Sequence, residues 1–232
     1  MSLIYKLLKS RLIPCLLIHE KGLVKTRNFK NPIYIGDPIN TIKIFNEKNV
    51  DEIFIADIDA TVRNLEPNYD LISKLAIECR MPLCFGGGIK TIDQALKIIE
   101  LGVEKVALSS IAIKKPNLVS ELALKVGNQS VVVVMDIKKT KFNRRYELFT
   151  NNGRKATGIE PLEFALKMEK LGVGEIIINS IDKDGTLEGF DFNLINQIVN
   201  NINIPFTVIG GASKFNDFKK VAQMYHPCGI GA

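Results

Sequence analysis

Eight short apolar runs, separated by helix-length amphipathic patterns, constrain this sequence most. The runs are Arg11–Ile18, Glu52–Ile58, Pro82–Phe85, Lys105–Leu108, Ser130–Ile137, Glu175–Asn179, Phe206–Ile209 and Cys228–Ala232. The helical patterns are Pro38–Asn49, Tyr69–Arg80, Thr91–Leu101, Pro116–Val126, Pro161–Leu171, Asn193–Asn201 and Phe215–Met224. A run such as Val131–Val134 has no polar face, so a strand made from it needs cover on both sides. Doubly apolar strands alternating with helices predict a parallel sheet buried under helices. Eight strands suit a closed (β/α)8 barrel, the TIM barrel of the α/β class. An open doubly wound sheet is the alternative and needs fewer strands. Seven helical patterns are visible, and the chain stops on Gly229-Ile230-Gly231-Ala232 within the eighth run. The expectation is therefore a barrel whose last helix is missing from this chain.

The two halves echo each other. Phe85-Gly86-Gly87-Gly88-Ile89 ends one run just before a helix, and Val208-Ile209-Gly210-Gly211 does the same later. Phe54-Ile55-Ala56-Asp57-Ile58-Asp59 matches Ile177-Ile178-Asn179-Ser180-Ile181-Asp182 in pattern. This reads as one domain over residues 1–232, built from half-barrel repeats at about 11–128 and 129–232. Glycines between a strand and a helix let backbone N–H groups face an anion at the helix N-terminus. Tight turn geometry explains one such site equally well; the echo favours phosphate.

Composition closes off several classes. Hydrophobic residues make up 46% of the chain, ample for a core, and mean hydropathy is +0.10. No apolar run approaches the roughly 20 residues that span a bilayer. Met1–Leu17 is apolar but broken by Lys6, Lys9 and Arg11, and has no small-residue cleavage site, so no signal peptide is expected. Cys15, Cys79, Cys84 and Cys228 show no CxxC spacing, and the only histidines are His19 and His226. Reduced thiols in a cytoplasmic protein are expected, with no metal site and no cofactor. The net charge of +6 suits anionic ligands or an acidic partner, or reflects a Lys- and Asn-rich composition. The dense basic stretch Lys138–Arg145 reads as a solvated loop or hairpin, not a nucleic-acid site.

Barrel chemistry sits where strands end. Leu17, Asp57, Gly88, Ser109-Ser110, Asp136, Asp184-Gly185-Thr186 and Gly211 stand there. The first loop, His19–Ile35, is long and basic, with Lys21, Lys25, Arg27 and Lys30. It either closes over a charged ligand or is a mobile solvated loop.

Arg11-Leu-Ile-Pro-Cys15, Phe85-Gly-Gly-Gly-Ile89, Val132-Val-Val-Met-Asp136, the segment Gly174-Glu-Ile-Ile-Ile-Asn-Ser-Ile-Asp-Lys-Asp-Gly-Thr186 and Gly210-Gly-Ala212 resemble the HisF family. That family is the cyclase subunit of imidazole glycerol phosphate synthase. The resemblance runs over nearly the whole chain from Arg11 onward. Its specific element is Ser-Ile-Asp-x-Asp-Gly-Thr; the triple glycine alone is not specific. It implies a half-barrel repeat and a substrate with a phosphate at each end. One phosphate would lie near Gly88, Ser109 and Ser110, the other near Asp184, Gly185 and Gly211, with Lys25 on the basic loop assigned to the same ligand. For Ser109-Ser110 a helix cap is the alternative.

The family's reaction uses two aspartates on opposite strands as general acid and base. One matches Asp136, which ends a valine-rich strand where a carboxylate is costly to bury. The other position, two residues after Cys15, is Leu17. A positioned acid or base contributes about 10²–10⁴ in rate, and leucine contributes none of it. Glu20 is one substitute on the adjoining loop. At the opposite strand ends, Arg11, Glu52, Lys105 and Glu175 match the gate through which the family admits ammonia from a glutaminase docked underneath. A salt-bridge plug is the alternative for these four charges.

Intact gate residues with an altered acid/base pair are similar to the HisF paralogue of surface-sugar pathways, as are Cys15-Leu16-Leu17 and Gly22-Leu23-Val24-Lys25-Thr26. The expectation is a HisF-type subunit of a glutamine amidotransferase complex. It would pass ammonia from a glutaminase partner through the barrel for acetamidino-sugar synthesis on surface glycans, with a sugar amidotransferase as a further partner. The alternatives are an authentic cyclase of histidine biosynthesis and a non-catalytic conduit that activates its glutaminase. The sister isomerase of histidine synthesis, which needs no ammonia gate, ranks last. No nucleic-acid or membrane partner is expected.

Overall fold

The computed structural model describes residues 9–140 and 144–232. Lys6 in the opening segment, and residues 141–143 of the basic stretch, lie outside the described residues. In chain order the elements are β1 (Arg11–Ile13), β2 (Cys15–His19), β3 (Gly22–Arg27), β4 (Lys30–Gly36), α1 (Pro38–Lys48), β5 (Ile53–Asp57), α2 (Tyr69–Glu78), β6 (Leu83–Gly86), α3 (Ile92–Glu100), β7 (Lys105–Leu108), α4 (Ser110–Lys114), α5 (Pro116–Val126), β8 (Val131–Lys139), β9 (Tyr146–Thr150), β10 (Lys155–Ala156), α6 (Pro161–Lys170), β11 (Glu175–Ser180), α7 (Phe192–Val199), β12 (Phe206–Ile209), α8 (Phe215–Tyr225) and β13 (Gly229–Gly231).

Parallel pairing runs β13–β12–β11–β8–β7–β6–β5–β2. The ring closes through the first strand, which Pro14 splits in two. Before the break β1 pairs with β13, and after it β2 pairs with β5. Pro14 has no N–H to give, but its carbonyl accepts from Phe54 N at 3.0 Å. Cys15 N donates to Ala232 O at 2.8 Å, so contact with the last strand continues past the break. Counting β1 and β2 as one strand, eight parallel strands form the barrel.

Side chains alternate across each strand, so every barrel strand feeds two cores. Leu16, Ile18, Ile53, Ile55, Val131, Val133, Ile176 and Ile178 point outward and pack under the helices. Ile13, Phe54, Cys84, Ala107, Val132, Val134 and Ile177 point inward and fill the lumen. The helices start where expected because their caps are encoded locally. Asp37, Asn68, Thr91 and Asp191 each accept a backbone N–H from the first turn of α1, α2, α3 and α7. Pro38, Pro116 and Pro161 open α1, α5 and α6, where the missing N–H is harmless. Among the described residues no helix is long and apolar enough to cross a membrane.

Two expectations change. The basic stretch His19–Ile35 is no loop. It forms the antiparallel hairpin β3–β4, entered by a turn at Glu20 and Lys21, both in the left-handed region (φ 48° and 76°). The patterning missed it because β4 is exposed almost throughout and so carries no alternation. The short helix α4 was also missed: five residues are too few for helical periodicity to register. Lys138 and Lys139 belong to β8, whose end pairs antiparallel with β9, so the arms of the second basic stretch form a hairpin.

Candidate functional site at the barrel mouth

The lumen is layered, and single strands read the layers from floor to mouth. On β11 and its end the inward positions are Glu175, Ile177 and Asn179; on β7 they are Lys105, Ala107 and then Ser109. Glu52 just before β5 is followed by Phe54 and Ala56 on it, and β8 adds Val132, Val134 and Asp136. A charged floor, an apolar middle and a polar mouth follow from the two-residue period alone.

At the floor, Arg11, Glu52, Lys105 and Glu175 meet as one cluster. Arg11 Nη1 donates to Glu52 Oε2, and Nη2 to Glu175 Oε1 at 2.5 Å. Lys105 Nζ lies 2.8 and 2.9 Å from the two Glu52 oxygens and 3.0 Å from Glu175 Oε2. Thr207 on β12 donates its hydroxyl to Glu175 Oε1 at 2.5 Å. The two glutamates are almost wholly buried, whereas the Arg11 side chain is 30% exposed and so forms the outer rim. Burial works against the Lys105 ammonium, but Glu175 and Glu52 outweigh it and its pKa rises. Burial likewise pushes Glu175 up, but Arg11, Lys105 and the Thr207 hydroxyl hold its carboxyl below the usual range.

At the mouth, Asp136 ends the inward row of β8. Ser109 Oγ donates to its Oδ2 at 3.1 Å and Asn179 Nδ2 to its Oδ1 at 2.9 Å. Burial pushes its carboxyl up to about 6, against these two hydrogen bonds and with the help of Asp184. The sign is that of a group whose charged form the fold disfavours. The penalty is absent below the ordinary value of 3.8 and fully present above about 6. Asp136→Asn is therefore expected to stabilise the protein by about 1–3 kcal/mol at neutral pH, with the gain vanishing in acid. Chemical denaturation of both proteins at pH 7.5 and pH 4 checks this; an equal stability difference at the two pH values would refute it.

Leu17 faces inward on β2, between Cys15 and His19, and β2 pairs with Ala56 at this position. The lumen side of this strand therefore has no carboxylate. Glu20 does not replace one: it is exposed and paired with Arg63 at 2.9 Å. His19, the next inward residue, had no sequence signal. Its Nδ1 lies 2.8 Å from Asp59 Oδ1, and Asp59 also accepts from Glu20 N at 3.0 Å. Asp57 is occupied within its own turn, accepting from Asp59 N and Ala60 N.

The glycine turns require glycine. Gly87 and Gly88 sit at φ 117° and 73°, and Gly210 and Gly211 both at 99°. Gly88 lies against Ala60 and Leu65, and Ser109 precedes α4 as its N-cap residue without capping it, because its hydroxyl goes to Asp136. Ser110 is the first residue of α4. Asp184 has a role in the fold: its carboxylate accepts from Thr26 Oγ1 at 2.7 Å and Phe29 N at 3.0 Å. Burial nevertheless holds its pKa above the ordinary value. Asn28 Nδ2 donates to Ile181 O and Asp182 O at 3.0 and 2.9 Å. The first hairpin thus crosses the mouth to the loop after β11. Gly185 has φ 63°, and a Cβ there would strike the Thr26 carbonyl. From the other side Asn152, just after β9, donates to Ile58 O at 2.6 Å. Lys25 lies exposed on β3.

A parallel barrel with hydrogen-bonded carboxylates at the carboxyl ends of its strands and a charge cluster at their start defines a class: the (β/α)8 barrels, whose members carry their chemistry at the mouth. A family model described as histidine biosynthesis protein matches residues 11–230. A Vibrio vulnificus protein, provisionally named imidazole glycerol phosphate synthase subunit hisF3, is 47% identical over 229 residues, covering 99% of this chain and 88% of its own length. A Pseudomonas aeruginosa protein, provisionally named subunit hisF2, is 49% identical over 211 residues, 91% of this chain and 84% of its own. Imidazole glycerol phosphate synthase subunit HisF of Lactococcus lactis subsp. lactis is 40% identical over 217 residues, 94% and 84% of the two chains. The chain belongs to the HisF family.

Proposed function

We propose that this protein is a HisF-type synthase subunit that receives ammonia from a glutaminase at the barrel floor and serves acetamidino-sugar synthesis. A single observation carries the reading: the floor cluster is complete, while of the two inward positions that match the family's acid and base, one holds Asp136 and the other Leu17. The apolar middle layer suits a small neutral molecule and opposes ions. The numbered names hisF3 and hisF2 of two relatives fit a branch that exists alongside another HisF. A phosphorylated ligand at the mouth, between Gly88, Ser109 and Ser110 on one side and Gly185, Gly211 and Lys25 on the other, belongs to the same reading. So does a single domain of two half-barrels. The crossed straps support that repeat: Asn28 bonds behind Ile181 and Asn152 behind Ile58, while Asp59 accepts from Glu20 N and Asp182 from Lys139 N.

The second reading is an authentic cyclase of histidine biosynthesis. Asp136 favours it, since a carboxyl with a pKa of about 6 can give or take a proton near neutrality. Purified protein with ammonia and the bisphosphorylated imidazole-carboxamide ribulotide decides between them: release of imidazole glycerol phosphate at a rate normal for such synthases would overturn the sugar reading.

The ammonia route has its own test. In the glutaminase complex, Lys105→Ala is expected to uncouple glutamine hydrolysis from product formation while leaving ammonia-driven product unchanged. The ratio of glutamate to product measures it. Unchanged coupling would make the four charges a plug.

A further inference from the structure

Asn179 is left unfinished by the fold. Its neighbour across the β8–β11 ladder is Asp136. An ionised carboxylate accepts and never donates, so it turns the amide to present Nδ2. That orientation leaves Asn179 Oδ1 on the other side, buried and with no partner among the described residues. A buried acceptor left without a donor is destabilising, so a ligand that donates a hydrogen bond is favoured there. The ligand must be small, because the atom is buried. It must also be neutral if it arrives from the floor, because Ile13, Phe54, Val132, Val134 and Ile177 pack the lumen between floor and mouth with apolar side chains.

We propose that Asn179 Oδ1 and the Asp136 carboxylate form a landing site for ammonia at the top of the lumen. Ammonia has N–H donors for both acceptors and keeps its lone pair for the ligand at the mouth. The site deepens the proposed ammonia transfer and rests on it. Neither residue alone suffices. Ser109 and Asn179 satisfy the carboxylate from two sides, and only the amide adds a second, unspent acceptor.

The test titrates the full chain with ammonium chloride and follows the backbone amide NMR signals of Ser109, Asp136 and Asn179. A saturable shift is expected, with apparent affinity rising about tenfold per pH unit as the neutral fraction grows. Potassium chloride at matched ionic strength should not reproduce it. Neither should trimethylammonium chloride, whose neutral form has no N–H to donate. Asn179→Leu should abolish the response, and the salt and amine controls decide the matter if that variant does not fold. No saturable shift, or the same shift with either control, would overturn the site and leave it to water. The floor route is judged separately by Lys105→Ala. Saturable binding with coupling intact keeps the landing site and removes the route. Lost coupling without binding does the reverse.

Discussion

Leu17→Asp is expected to raise ammonia-driven turnover of the bisphosphorylated imidazole-carboxamide ribulotide by about 10²–10⁴-fold, or roughly 3–5 kcal/mol of barrel-mouth catalysis. The position is already inward-facing on β2, and in the proposed half-barrel repeat it corresponds to Asp136 on β8. Substitution there removes a half-buried leucine, so some loss of stability accompanies the gain. The measurement is a steady-state rate with saturating ammonia, for the parent, Leu17→Asp and the double variant Leu17→Asp/Asp136→Asn. The double variant should return to the parental level, because the two carboxylates act as a pair. A parental rate that Leu17→Asp does not increase would mean that another group supplies the second proton transfer, and the missing carboxylate would then say nothing about function.

Glu175→Leu is expected to destabilise the fold by about 3–5 kcal/mol, the range for breaking a buried ionic network from one side. It would leave Arg11 and Lys105 sharing Glu52 alone and strip the Thr207 hydroxyl of its acceptor. The effect has a pH signature. Because the folded protein holds the Glu175 carboxyl below its ordinary value of 4.5, its contribution is present above that value. It is lost as pH falls through the folded pKa. The gap between parent and variant in urea unfolding should therefore close in acid, at unchanged denaturant slope. A gap below 1 kcal/mol at neutral pH, or one indifferent to pH, would mean that the cluster contributes little to stability.

The barrel could be read from the chain because each of its strands is apolar on both faces. Val131–Val134 and Ile176–Ile178 need cover on both faces, and the count of eight such runs favoured a closed barrel over an open sheet. Glycine turns at Gly87–Gly88 and Gly210–Gly211 were equally legible, since positive φ leaves few alternatives to glycine. Arg11, Glu52, Lys105 and Glu175 stood out as charges at strand starts. By contrast, β4 carries no alternation and α4 is shorter than two turns, so no periodicity announced them.

What the sequence by itself determined is the alternation of eight barrel strands with helices, the four charges at strand starts and the leucine at position 17. The first two follow from local patterning with a period of two or 3.6 residues, and the third from the resemblance to the HisF family. What only the tertiary structure decided is how side chains far apart in the chain use one another. Thr26 and Phe29 occupy Asp184 from 158 and 155 residues away, Glu20 turns to Arg63 instead of the lumen, and Thr207 props Glu175. Asn179 spends its amide on Asp136 and leaves its oxygen unpaired. Hydrogen-bond partners depend on distances that closure of the barrel creates, and no spacing along the chain encodes them.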